Sequence, residues 1–364
     1  MATTNFAALT TEQLTIWKRD VWRAARNSAF LNRFLGESND SMIQRITELT
    51  ESEKGARAVI TLVADLEGDG VPGDSQLEGN EEEIKSYDQV IQIDQLRHAN
   101  RLKGKMADQR SVVRFRENSR NVLGYWLGDR LDQMTFLALS GESFTLKNDG
   151  SARVGSQLPL LDFAADITAP SANRVRNWEG ASQAAADLVA GNTASTTLKD
   201  PDWNMLVEMK AYAQDNFIRP LRGELGEESY NIFMTPQGMA KLKRDPDFRT
   251  AYKDAMPRSS SNPLFKGATV YHVDGLNIFV FRHVFHSDKW GSGTTKGQAV
   301  LMCGAQALGF ADIGTPDWVE KKFDYDNQPG ISVGKICGIK KPVFRSLVTG
   351  TDEDFGVLRV NTLR

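Results

Sequence analysis

Residues 108–139, DQRSVVRFRENSRNVLGYWLGDRLDQMTFLAL, place Val112, Phe115, Ser119, Val122, Leu123, Trp126, Leu127, Leu131, Met134 and Leu137/Ala138 on one face at a spacing of three or four. That recurrence is the signature of an α-helix with one buried side. At 1.5 Å per residue it predicts a rod on the order of 45 Å, about three times the usual helix. Such a helix is a strut. Gly124 and Gly128 form a GxxxG on it, but the apolar run around them is too short for a bilayer, so close helix packing is the reading. The approach to the strut is basic. Between 97 and 120, eight cations (Arg97, Arg101, Lys103, Lys105, Arg110, Arg114, Arg116, Arg120) stand against Asp108 and Glu117, a local charge of +6.

Upstream, ARAVITLVADL and YDQVIQIDQL are β-rich runs, the second alternating through Ile91 and Ile93, and they read as two strands of a hairpin. The connection between them, LEGDGVPGDSQLEGNEEEIKS, has four glycines and one proline. Eight acids lie between Asp65 and Glu83, and no base occurs before Lys85. It is too long for a tight turn and predicts an exposed acidic tip. Before the hairpin, Thr10 with Gln13 can cap a helix in which Leu14, Trp17, Val21, Ala25 and Phe30 recur up to Leu35-Gly36. This amphipathic arm must bury Trp17 and Trp22 on the body or on another chain.

Downstream, residues 141–200 lose periodicity and read as an insertion of loops with one short helix. Asp200-Pro201 predicts a new helix through Trp203, Leu206, Val207, Lys210 and Ala213. YNIFM reads as a buried strand, and Thr235-Pro236 and Asp245-Pro246 each open a short helix. ATVYHVDGLNIFVF reads as two strands around Asp274-Gly275, a type I′ signal, and GQAVLMCG as a buried strand. WVEKKFDYDNQPGISVGKICGIKKPVF reads as a long strand pair turning at Asn327–Gly330. No internal repeat is evident.

The 364 residues, 40% hydrophobic and 25% charged, suit a folded chain with two or three packing units. A formal charge of −3 disfavours nucleic-acid binding through net charge. Two cysteines, Cys303 and Cys337, make no disulfide framework and fit a reducing compartment. No basic n-region with an apolar run opens the chain, and no stretch reaches the roughly 20 apolar residues of a membrane span, so no signal peptide and no membrane partner is expected.

Chemistry-bearing patterns are weak. The acidic tip has carboxylates and glycines, but Asp69 and Asp74 are not followed by the ligand ladder of an EF-hand, and a solvated or partner-facing loop is the better reading. His272, His283 and His286 fall on or beside one hairpin, and His283 and His286 with a carboxylate such as Asp288 would be the residues of a metal-dependent enzyme. They lack the helix and glutamate of HExxH. Cys303, inside an apolar strand, reads as a small hydrophobe. Neither GxxxxGK[ST] nor a strand-linked GxGxxG occurs, so no nucleotide enzyme is indicated. No catalytic residue, metal or cofactor is expected.

The order of parts, an arm, a long hairpin with an exposed tip, a very long helix, a second α/β unit and long returning strands, resembles the Hong Kong phage-type capsid fold of tailed bacteriophages, an α+β fold that encapsulin shells also use. LTTEQLTIWKRDVWRAARNSAFLNRFLG, RSVVRFRENSRNVLGYWLGDRLDQMTFLALSG and GQAVLMCGAQALGFA look like the subfamily typified by the major capsid protein of coliphage N-four. The resemblance implies an N-terminal arm at 1–50, an extended loop at 51–103, a peripheral domain with spine helix at 104–140, an insertion at 141–200, an axial domain at 201–316, and return strands of the peripheral domain with the C-terminus at 317–364. It implies a structural subunit forming hexamers and pentamers of an icosahedral head. The head would enclose double-stranded DNA without sequence-specific binding and be assembled in the host bacterial cytoplasm into the virion. Scaffolding, portal and decoration proteins are the implied partners. An encapsulin-like compartment shell is the alternative within the fold.

Opposite charges then suggest inter-subunit contacts of Glu81, Glu82 or Glu83 with Arg110, Arg114 or Arg116 of an adjacent chain. Each exposed pair would contribute about 0–1 kcal/mol, repeated over a shell.

Overall fold

The computed structural model describes residues 29–47, 57–63, 68–83, 86–110, 115–180, 186–191, 195, 197–223, 227–255, 270–290, 293–346 and 349–364. Numbering elements in chain order, a first sheet has the order β1 (Leu35–Gly36), β2 (Ile43–Ile46), β14 (Leu308–Phe323), β15 (Gln328–Lys340), β5 (Asp94–Arg101). A second sheet runs β10 (Val270–Val273), β11 (Leu276–Val280), β9 (Glu228–Met234), β13 (Thr295–Cys303), β18 (Val357–Leu363), β6 (Val175–Glu179), β7 (Asp187–Ala190). In it, β12 (His286–Trp290) pairs with β13 and β8 (Leu221–Arg222) with β9. Two ribbons, β3 (Arg57–Val63) with β4 (Ser86–Gln92) and β16 (Val343–Arg345) with β17 (Asp352–Asp354), complete the strands among the described residues.

The strut is α1 (Lys105–Arg110) followed by α2 (Phe115–Ser140), with 111–114 outside the described residues. The 26 residues of α2 span about 39 Å. Leu123 and Leu127 are buried against the sheets, and from Met134 to Ser140 every side chain is buried. The helix therefore begins at the surface and ends inside. It stops at Gly141, whose φ of +68° only glycine adopts cheaply. The Glu142 N–H reaches Leu137 O and the Gly141 N–H reaches Ala138 O, both at 3.0 Å, closing a Schellman cap.

Several sequence readings are corrected. The arm helix expected to run to Leu35-Gly36 is, over Leu31–Phe34, a 3₁₀ turn, while its Thr10–Ala25 part lies outside the described residues. The rings of Phe30 and Phe34 pack onto Phe136, Phe233, Phe279 and Phe281. Helix α3 (Trp203–Asp215) is capped by Asp202, which accepts from the Met205 N–H at 2.8 Å. Asp200 instead pairs with Lys241 at 2.7 Å. Residues 141–200 hold three 3₁₀ turns and strands β6 and β7, with no α-helix among the described residues. Trp178 and Asn177 are fully buried there, which a surface loop would not achieve.

The long strand pair turns at Asp324–Asp326, all three residues at positive φ, so Gln328, Pro329 and Gly330 lie in β15. Segment 317–364 divides between the sheets: β15 belongs to the first, and β18 lies in the second between β13 and β6. The Asp274-Gly275 hairpin stands as read, with φ of 47° and 74°. Thr235 and Asp245 cap α4 (Pro236–Leu242) and α5 (Pro246–Ala255) through the Gly238 and Phe248 N–H groups.

Candidate functional site

The hairpin β3–β4 is in register over seven pairs, Arg57↔Gln92 to Val63↔Ser86. One face, Ala58, Ile60 and Ile91, packs with Ile93 onto Ile46 and Ala311 of the five-stranded sheet. The approach is close enough that a Cβ on Gly338 would lie 2.3 Å from Gln92 O, which is why glycine stands there. The other face is open. Val59 and Val90 oppose each other directly and are 42% and 39% exposed, as a ribbon waiting for a cover would be. Between the strands, residues 68–83 are exposed throughout except half-buried Val71.

The tip's acids are partly used at home. Glu82 accepts from the Gly68 N–H and Glu81 from the Gly79 N–H, each at 2.7 Å, which shapes the loop while leaving both side chains at the surface. Glu83 is exposed. Of the three arginines assigned to meet them, Arg114 and the side chain of Arg110 lie outside the described residues. Arg116 makes a two-pronged pair with Glu320 of its own chain, Nε–Oε1 2.9 Å and Nη2–Oε2 3.0 Å. Sequence reasoning missed that pairing because 204 residues separate the partners.

Where the N-terminal segment joins the strut, Asp132 of α2 accepts from the Phe30 N–H (2.8 Å) and the Leu31 N–H (3.1 Å). Burial pushes its carboxyl up to about 6, against the pull of those two bonds; Asp129 adds to the rise and Arg282 opposes it. A cavity of about 40 Å³ beside it is lined by Arg45, Asp312, Thr135 and Ala29 among others. Between pH 3.8 and about 6 the folded chain holds a proton that the unfolded chain has released, so stability falls as pH rises through that window, by roughly 3 kcal/mol in total. The melting midpoint of the native chain is expected to drop across this window relative to Asp132→Asn. Parallel pH profiles of the two proteins would refute the assignment.

His272 is exposed on β10, and His283 and His286 are occupied structurally. His283 Nε2 lies 2.7 Å from Asp129 Oδ1, which Arg282 also reaches at 2.7 Å. Burial raises the Asp129 carboxyl, but His283 and Arg282 outweigh it and hold it below the usual range. Burial lowers both His283 and His286, and His286 Nδ1 lies 2.9 Å from Val284 O. Asp288 faces Lys296 at 3.8 Å and Arg364 at 3.6 Å. Among the described residues no three His, Cys, Asp or Glu side chains group as metal ligands. Cys303 and Cys337 are fully buried free thiols; burial raises both, Cys337 to about 12, and neither is a nucleophile in that state.

What remains as functional surface among the described residues is an open ribbon and an acidic tip, features that serve association. Residues 5–364 match the family model described as phage capsid protein. The chain is 54% identical over 366 residues to the major capsid protein of Pseudomonas phage KPP25, covering 98% of this chain and 96% of that protein. Among solved structures it is similar to the capsid of Ralstonia phage GP4 (TM-score 0.73, 27% identity, 92% and 91% of the two chains). It is similar in fold to the cyanophage Pam1 capsid (TM-score 0.67, 19% identity, 100% and 96%). The architecture is therefore the Hong Kong phage-type capsid fold, a mixed α+β shell fold. The chain belongs to the phage capsid protein family, and its function is that of a phage major capsid protein, a self-associating structural component of the virion.

Proposed function

We propose that this chain forms the hexamers and pentamers of an icosahedral tailed-phage head enclosing double-stranded DNA, with function residing in interfaces and not in catalysis. The observation that carries this reading is the hairpin β3–β4, seated by one face on its own sheet while its outer face and its acidic tip are open to a neighbour. In this reading 1–50 is the arm, 51–103 the extended loop, 104–140 the spine, 141–200 an insertion, 201–316 the axial domain and 317–364 the return strands with the C-terminus. Glu81, Glu82 and Glu83 meet basic residues of an adjacent copy. Scaffolding, portal and decoration proteins complete assembly in the host cytoplasm, and the enclosed DNA is held without sequence-specific contacts. The near-cancelling charge of −3 suits such a container, since a strongly basic lining would hold the polyanion in place.

Light scattering and negative-stain microscopy of the protein, made alone and with its neighbouring genes, test this reading. Closed shells or hexamer and pentamer rings are expected. A stable monomer under both conditions would overturn it.

A further inference from the structure

A groove of about 820 Å³ runs between β5, the middle of α2 and the loop 152–161. Five consecutive residues of β5, 94–98, line it, and β5 is the last strand of its sheet. Among the described residues the strand therefore offers an unpaired backbone edge to the groove, the arrangement that captures an extended peptide as an added strand. On its wall His98 stacks on Trp126 with ring centroids 4.5 Å apart. Its charge is one-sided: Arg97, Arg130, Lys147 and Arg153 line it against Asp94 alone, and Asp94 already accepts from the Asp162 and Gln95 N–H groups.

The guanidinium groups of Arg130 and Arg153 share one neutral acceptor, Gln133 Oε1, at 2.8 and 3.3 Å, and no carboxylate bridges them among the described residues. Burial first, and then the Arg130 charge, weaken the hold of Arg153 on its proton, while Asp149 opposes them. Two like charges beside an open groove favour an anionic occupant. The rim adds Val154 and Leu160, 95% and 74% exposed, which a phosphate backbone would leave wet and a protein partner would cover.

We infer that this groove seats the acidic tip of a second copy of this chain, residues 79–83 lying along the free edge of β5 with Glu81, Glu82 and Glu83 among Arg97, Arg130, Lys147 and Arg153. Drawn out as a strand, residues 79–83 would span about 17 Å, the length of the five residues of β5 that line the groove. The inference rests on the shell reading and names the counterpart of the tip, moving it from the start of the strut, where Arg116 is held by Glu320, to the groove.

The test uses the full chain with Glu82→Cys and Val154→Cys, oxidised after assembly; Cys303 and Cys337 are buried and silent. A ladder of covalent oligomers on a non-reducing gel is expected. In a second arm, Arg97→Glu with Lys147→Glu, two exposed positions, is expected to lower the yield of closed shells at least tenfold. Adding Glu81→Lys, Glu82→Lys and Glu83→Lys is expected to restore it. Shells that form normally and stay monomeric on oxidation would overturn the groove assignment while leaving the shell reading intact. So would a groove reversal that changes packaged DNA but not shell yield, since the groove would then face nucleic acid. Failure of the unaltered chain to form shells overturns the shell reading itself.

Discussion

Asp312→Ala is expected to lower the folding free energy by about 3–5 kcal/mol, the range for removing one partner of a buried ion pair. Asp312 of β14 is 5% exposed and lies between two cations. Arg45 of β2 reaches its Oδ2 through Nη2 at 2.6 Å and through Nε at 2.8 Å, and the Lys335 ammonium of β15 pairs with its Oδ1. The Lys335 side chain is fully buried. Its ammonium also donates to the carbonyls of Ile313 and Gly314, where the ladder skips from Ile313↔Ile336 to Asp317↔Gly334. Lys335 thus fastens the bulge beyond which the strand pair carries Trp318, Ile331 and Val333 onto Leu123 of the strut.

Removing the carboxylate takes the paired anion from the ammonium of Lys335, which lies buried inside the sheet. The desolvation cost is then uncompensated. Asp312→Asn keeps an acceptor and is expected to lose less. Lys335→Met leaves Asp312 with Arg45 and fills the space with an apolar stem, so it too is expected to be milder than Asp312→Ala. Urea midpoints at unchanged slope measure the order. A loss under about 1 kcal/mol for Asp312→Ala would mean that water reaches the site, contrary to the burial seen.

This triad shows where sequence reading stops. Local patterns were legible: the strut through its three-to-four spacing, the hairpin through its flanking β runs, the turn at Asp274-Gly275 through its chemistry. The tip was legible because its charges are contiguous. Partners far apart in sequence were not. Arg45 and Asp312 are 267 residues apart, and Asn177 and Asn361 are 184. Strand β6 hides in a stretch of low periodicity because its ladder with β18 comes from the other end of the chain. The turn at Asp324–Asp326 was displaced in reading toward Asn327–Gly330 because Pro329 and Gly330 are turn formers elsewhere, whereas here they sit opposite Lys322 and Lys321 within the ladder. The groove cations lay unseen for the same reason: Arg97, Arg130 and the loop that carries Lys147 and Arg153 are three separate segments that only tertiary structure gathers.

Phe233→Ala is expected to cost about 3–5 kcal/mol, at the upper end of that range, because the ring is a junction and not merely a filler. Phe233 of β9 is fully buried. Its ring meets Phe34 edge-on at 5.2 Å, Phe136 at 5.5 Å and Phe30 at 6.2 Å, and stacks on Phe279 at 5.5 Å. These partners come from the N-terminal segment, the strut and the neighbouring strand β11. One side chain therefore ties three separate elements, and each aromatic pair contributes about 0.5–1.5 kcal/mol beyond area burial. The cavity left by alanine cannot collapse easily, since Phe136 is fixed on the buried end of α2 and Phe279 on the sheet ladder.

Phe34 is the half-buried partner. It lies on a short 3₁₀ turn anchored by the two Asp132 bonds, and it is the side chain free to shift into the gap. Phe34→Ala with Phe233→Ala is consequently expected to cost less than the sum of the single changes, a coupling of about 0.5–1.5 kcal/mol. Denaturant unfolding of the two single variants and the double variant measures it. Strict additivity would mean that the N-terminal segment is held by Asp132 alone. Phe233→Leu, which keeps most of the volume, separates packing from aromatic geometry: a loss near that of alanine would assign the junction to ring–ring contacts, and a loss near 1 kcal/mol would assign it to filling space.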